Sequence, residues 1–176
     1  GGEFAFEFLY SEKFGDGRLE MGYDAQTPSD TADAVLRLFV EGLKGYLYAL
    51  DDTPLHMQVV ELLKLRGKKL CAAESFTGGG VTKRIVDVPG ASEILYEGVV
   101  AYANEAKMRR LGVRGETLRT QGAVSDETAY EMAAGLIVSG CCTVSVATTG
   151  IAGPASDNTN KPVGLCYLAV GTAESG

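Results

Sequence analysis

Apolar and polar residues alternate from the start of the chain. Phe4, Phe6, Phe8 and Tyr10 fall on one face of an extended segment, and Leu19, Met21 and Tyr23 on one face of another. A period of two predicts a pair of half-buried strands, and Gly15-Asp16-Gly17 between them is hairpin chemistry. The period then changes. Pro28-Ser29-Asp30 announces a helix, and Val35, Leu36, Phe39, Val40 and Leu43 follow at helical spacing until Gly45 or the tyrosines after it. Two strands and one helix enclose too little surface to fold well alone, so this unit is expected to join a larger module or pack on its neighbour.

Asp51-Asp52-Thr53-Pro54 reads as a boundary, separating a partial α+β segment (1–52) from a main domain (53–176). Thr53 can cap a helix and Pro54 fits its first turn, with Leu55, Val59, Leu62 and Leu63 turned inward and Gly67 as the stop. Strands and helices then alternate. Strands are predicted over 69–74, 97–102, 142–148 and 163–170, with helices over 77–86, 104–111 (closed by Gly112) and from Ser125 to Ile137 or Val138. Ser125 followed by Asp126 and Glu127 is a strong helix start, since the acids suit the dipole. Such alternation predicts an α/β domain whose largely parallel sheet is covered on both faces.

Composition narrows the function classes. The chain has 176 residues, 45% of them apolar and 22% charged, with net charge −7. That argues against a general nucleic-acid or anionic-membrane binder. No apolar run approaches the ~18 residues of a membrane span and no leader is read at the start, so a cytoplasmic setting is expected. Cys71, Cys141, Cys142 and Cys166 make neither a metal spacing nor a disulfide framework, and all are expected in or beside buried strands. His56 is the single histidine, which excludes chemistry needing two. Of the 16 Lys and Arg residues, 11 lie between 57 and 119. Counter-charges for an anionic small molecule would be concentrated there, although a solvated basic helix face explains the same count.

Ligand sites in open α/β sheets lie at the carboxyl ends of the strands, where four segments stand out. Glu74-Ser75-Phe76-Thr77-Gly78-Gly79-Gly80 joins a strand to a helix, offering backbone amides to an anion or oxyanion, or simply a tight helix entry. Tyr102 ends the second strand, and Lys107 sits near the start of the next helix, where the dipole disfavours a cation and lowers a lysine's pKa. A solvated surface lysine is the plain alternative. Thr148-Thr149-Gly150-Ile151-Ala152-Gly153-Pro154 reads as a hydroxyl- and glycine-rich turn after a buried strand, and Asn160-Lys161-Pro162-Val163-Gly164 leads into the last strand.

Together these blocks resemble the C-terminal domain of the CinA (competence/damage-inducible) family of bacterial nicotinamide-nucleotide amidases. The resemblance is carried by Ala73-Glu74-Ser75 with Thr77-Gly78-Gly79, Asp87-Val88-Pro89-Gly90, and Gly98-Val99-Val100-Ala101-Tyr102 with Asn104-Glu105-Ala106-Lys107. Leu111-Gly112-Val113, Gly122-Ala123-Val124-Ser125, Thr149-Gly150-Ile151-Ala152-Gly153-Pro154 and Lys161-Pro162-Val163-Gly164 continue it in family order. The resemblance implies a three-layer α/β/α sandwich on a mixed, mostly parallel sheet, preceded by a small α+β segment. It also implies hydrolysis of the carboxamide of nicotinamide mononucleotide, or of a related pyridine nucleotide, to the acid and ammonia without metal or cofactor.

In that reading Ser75 is the nucleophile, Lys107 its base and Tyr102 an assistant. Thr149 and the amides around Thr77, Gly78 and Gly79 bind substrate or oxyanion, with Glu74, Asn104, Gly150 and Gly153 completing the substrate set. Nucleic acid and membrane are not expected as partners, and a homo-oligomer is left open. Two residue-level departures stand out: Phe76 replaces the family's usual cysteine, and Ala155-Ser156-Asp157-Asn158 follows Pro154 where more glycine is usual. The chain is also read as lacking the family's final strand and basic helix, so weak substrate binding is expected. A non-catalytic nucleotide-binding or protein-interaction module of a competence or damage response is the alternative.

Overall fold

The computed structural model describes residues 4–11, 15–154 and 159–173, so the Ala155–Asn158 departure lies outside the described residues. The chain divides into two compact units, one ending at Leu50 and the next beginning at Asp51. In the first, β1 (Phe4–Ser11) and β2 (Asp16–Tyr23) pair antiparallel, Phe4 opposite Tyr23, and α1 (Ser29–Leu43) follows. Asp16 and Gly17, expected in the turn, already belong to β2. Phe6 and Phe39 bring strand and helix together, with ring centroids 4.7 Å apart. Ala32 is the one described helix residue fully buried, whereas Leu36 and Leu43 are exposed.

The second unit is built on a four-stranded sheet ordered β4-β3-β5-β6, from β3 (Leu70–Glu74), β4 (Leu95–Val100), β5 (Val144–Gly150) and β6 (Cys166–Thr172). β3 runs parallel to both neighbours and β6 antiparallel to β5. The pleat sorts residues between two cores. Cys71, Ala73 and Ala147 face α4 (Asn104–Leu111) and α6 (Asp126–Val138), which supply Leu111, Met132, Ala133 and Leu136. Leu70, Val144 and Val146 face Val60 of α2 (Leu55–Leu65) and Ile85 of α3 (Gly80–Val86). Helices therefore cover both faces, and the architecture is the expected three-layer sandwich.

Several local expectations are corrected. Pro54, not Thr53, occupies the N-cap of α2, and no side chain caps it. The stripe of α2 that meets the sheet is Val59, Val60 and Leu63, which leaves Leu55 and Leu62 exposed. α3 starts at Gly80 rather than Thr77, because Thr77 to Gly79 form a turn with Gly78 and Gly79 at positive φ (59° and 104°). β4 ends at Val100, so Tyr102 lies beyond the strand, while β5 runs through Thr149 and Gly150, which are strand and not turn. The short helix α5 (Gly115–Thr120) has no apolar period to announce it. Its start is held instead by Glu131 of α6, which accepts from the Arg114 amide and the Thr117 hydroxyl. Cys71 and Cys142 are buried, but Cys166 is exposed.

One close contact fixes α4 against α6. A Cβ on Gly135 would stand 1.9 Å from the carbonyl oxygen of Leu111, so only glycine lets the end of α4 rest on this turn of α6.

Candidate active site

The parallel ladder continues past the ends of the strands and sets the positions of the polar residues. The Ser75 amide donates to the Thr148 carbonyl at 2.9 Å, and the Ala101 amide donates to the Glu74 carbonyl at 2.9 Å. Ser75 thus stands at the carboxyl edge of the central strand, flanked by the ends of β4 and β5. Its neighbour Lys107 lies in the first turn of α4. Helical side chains lean toward the N-terminus, so the lysine reaches back over the strand ends. Its Nζ donates to Ser75 Oγ at 2.9 Å, to the Ala101 carbonyl at 3.0 Å and to the Tyr102 carbonyl at 2.8 Å. Lys107 is 1% exposed and Ser75 8%. Burial pushes the Lys107 pKa below the ordinary lysine value, with no carboxylate opposing that shift.

Glu74, the residue before Ser75, is equally buried at 1% exposure. One carboxylate oxygen, Oε2, accepts from Thr77 Oγ1 (2.6 Å), the Gly79 amide (3.0 Å) and the Val81 amide (2.9 Å). The other, Oε1, accepts from the amide of Thr82 at 2.8 Å and from its hydroxyl. Burial pushes this carboxyl's pKa up, but the bonds from Thr77, Thr82 and Val81 outweigh it and hold the group below the usual glutamate value. Thr77 Oγ1 also meets Thr148 Oγ1 at 2.8 Å, tying the turn to β5.

The structure brings together part of the predicted set. Ser75 and Lys107 are in contact. Tyr102 takes part through its backbone carbonyl, and its side chain is 76% exposed at the rim. Thr149 is buried, with its hydroxyl donated to the Ala123 carbonyl at 2.6 Å. Gly150 lies under Phe76: a Cβ there would meet the phenyl ring at 2.6 Å and the Leu165 carbonyl at 2.6 Å. Asn104 is exposed as the first residue of α4, and Gly153 (φ 79°) packs against Val163. Glu74, expected to touch substrate, is directed wholly into the protein. Lys161, the only basic residue after position 120, gives its ammonium to the carbonyls of Gln121 and Val124.

Sequence reasoning did not find Thr82. Its closeness to Glu74 depends on Gly98 of β4, where any Cβ would strike the Thr82 side chain, and no local spacing reveals that contact. Among the described residues, no group of three or more His, Cys, Asp or Glu is arranged to hold a metal ion, and no helix is long and apolar enough to cross a membrane.

A buried Ser–Lys pair at the carboxyl edge of a mixed sheet, inside a three-layer α/β/α sandwich, is the class of site this domain presents. The chain belongs to the CinA C-terminal domain family, whose description matches residues 52–175. It is 50% identical over 129 residues to a CinA-like protein of Chloroherpeton thalassium, covering 73% of this chain and 31% of the relative. A CinA-like protein of Kosmotoga olearia is 48% identical over 130 residues, covering 74% and 32%. The chain thus spans about a third of the length of these relatives. Among solved structures, the competence/damage inducible protein CihA of Agrobacterium tumefaciens superposes with a TM-score of 0.65 at 36% identity, covering 72% of this chain and 80% of that one.

Proposed function

We propose that this domain is a metal-independent amidohydrolase that cleaves the carboxamide of nicotinamide mononucleotide or a closely related pyridine nucleotide. The observation that carries the reading is the 2.9 Å contact between Lys107 Nζ and Ser75 Oγ, with the lysine 1% exposed and the serine 8%. A protonated lysine has three N–H donors and no acceptor, and here three acceptors surround it. Once neutral, the amine keeps two donors for the Ala101 and Tyr102 carbonyls, and its lone pair is turned to Ser75. Desolvation favours that neutral form.

Lys107 then takes the Ser75 proton as Oγ bonds to the carboxamide carbon. The amides of Phe76, Thr77 and Gly78, which follow Ser75 in the turn and make no hydrogen bond among the described residues, are the candidate donors for the oxyanion. The C–N bond breaks, the protonated lysine returns its proton to the leaving nitrogen, and ammonia departs. Water next adds to the acyl carbon, losing a proton to Lys107, which passes it to Ser75 Oγ as the ester bond breaks to give the acid and restore both side chains.

The test is ammonia release from nicotinamide mononucleotide, nicotinamide riboside and free nicotinamide, compared with Ser75→Ala. Turnover of the mononucleotide that disappears in the variant supports the reading. Calorimetric binding without turnover would instead favour a nucleotide-binding module.

A further inference from the structure

Glu74 cannot serve a substrate while both its oxygens are held by the turn and first helical residues that follow it. The backbone amides of that segment fall into two groups. The amides of Gly79, Val81 and Thr82 converge on the carboxylate, whereas those of Phe76, Thr77 and Gly78 remain without a hydrogen bond among the described residues. We infer that Glu74 is a positioning residue for the nucleophile: its carboxylate gathers the start of α3 onto the end of β3 and so fixes the Ser75–Gly78 turn that carries Ser75 and the open amides.

Three features support this. Glu74 is held from both sides, by Thr77 in the turn and by Thr82 in the first turn of α3. Thr77 is in turn held by Thr148 of β5, so the carboxylate joins the turn to the neighbouring strand as well as to α3. Gly98 of β4 clears the space that Thr82 fills, so a third strand is shaped around the same carboxylate. A side chain serving only as a helix cap would need none of the contacts beyond the amides.

The inference rests on Ser75 being the nucleophile, so its test uses a probe independent of the natural substrate. A fluorophosphonate reacts when Oγ bonds to phosphorus, the P–F bond breaks, fluoride leaves and the serine proton passes to Lys107. The phosphoryl oxygen, which gathers negative charge in the pentacoordinate transition state, occupies the oxyanion position. In Glu74→Gln the side-chain shape is kept, but one acceptor oxygen becomes an NH₂ group facing donors. The folded variant, verified by circular dichroism and its Tm, should label at Ser75 some ~10- to 100-fold more slowly. Its kcat for the amide should fall in parallel, with KM close to the parent value because Glu74 touches no substrate.

A folded Glu74→Gln protein that labels at the parent rate would overturn the inference and leave the amidase reading standing. A raised KM with unchanged kcat and labelling would overturn it too, by returning Glu74 to substrate binding. A parent that labels at Ser75 yet releases no ammonia would refute the proposed substrate, while the two labelling rates would still decide the role of Glu74. A parent that does not label would remove both readings.

Discussion

The entry to α3 and the entry to α4 each bury one ionisable side chain at 1% exposure, and they treat it in opposite ways. Glu74 is surrounded by donors that prefer the carboxylate, so the charged form is retained despite burial. Lys107 meets only neutral acceptors, so desolvation is unopposed and the neutral form gains. The difference lies in the partners' chemistry, since the degree of burial is the same. Backbone amides and threonine hydroxyls make one site a fixed anion that organises a turn. Two carbonyls and a serine leave the other with its neutral form favoured, as the proposed base requires. A charge that is fully hydrogen-bonded is structural, and one left under-compensated is reactive.

Removing the reactive half should have the largest effect. Ser75→Ala and Lys107→Met are each expected to lower kcat for ammonia release by about a thousand-fold or more, with the double variant little worse, because members of one catalytic unit are not additive. Steady-state assays on the three variants measure this. A Lys107→Met enzyme within tenfold of the parent would remove lysine from the mechanism.

Stability should separate the two sites in the other direction. Glu74→Ala leaves five donors without their acceptor and should cost about 3 kcal/mol or more in urea unfolding. Lys107→Met removes a desolvated amine and replaces it with a side chain suited to burial, so its change should stay within about 1 kcal/mol. Equal losses at the two positions would erase the contrast.

The α4 side also depends on one packing contact. Gly135→Ala places a methyl group against the Leu111 carbonyl and should cost ~1–3 kcal/mol. It should also lower kcat more than KM, since α4 carries Lys107. Urea unfolding and steady-state kinetics on that variant check both parts.

The smallest effect is on the pH dependence of stability. The Glu74 pKa is lowered on folding, so its contribution is present above the ordinary glutamate pKa and fades as pH falls through the folded value. The Lys107 pKa is lowered too, with the opposite consequence. Between the folded value and the ordinary lysine pKa the unfolded chain holds a proton that the folded one lacks, so stability gains there as pH rises. Urea titrations across alkaline pH should show that slope in the parent and a flatter one in Lys107→Met.

Much of this arrangement is legible in the sequence, for reasons that can be named. Ser125 caps α6 through the Thr128 amide, as its acidic followers imply, and α4 closes on Gly112 because glycine alone adopts that left-handed turn at no cost. Lys107 at the start of a helix is visible as an anomaly, and the structure gives the anomaly a partner. What stays hidden is contact across distant segments. Glu74 sits in a motif and reads as a ligand, but its assignment depends on Thr82 and Gly98, whose proximity only the folded sheet creates. Tyr102 reads as a catalytic ring because side chains are what a sequence displays, whereas its contact with Lys107 is made by its carbonyl. The end of β5 reads as a turn because Thr149 and Gly150 have turn composition, although pairing with β6 keeps them extended.

The most direct measurement of the central claim is the titration of Lys107 itself, followed by NMR of its ε-carbon in selectively labelled protein and assigned with Lys107→Met. The midpoint of Lys107 is expected below the ordinary lysine value of ~10.4. A Lys107 resonance that titrates at or above that ordinary value would contradict a neutral base poised on Ser75.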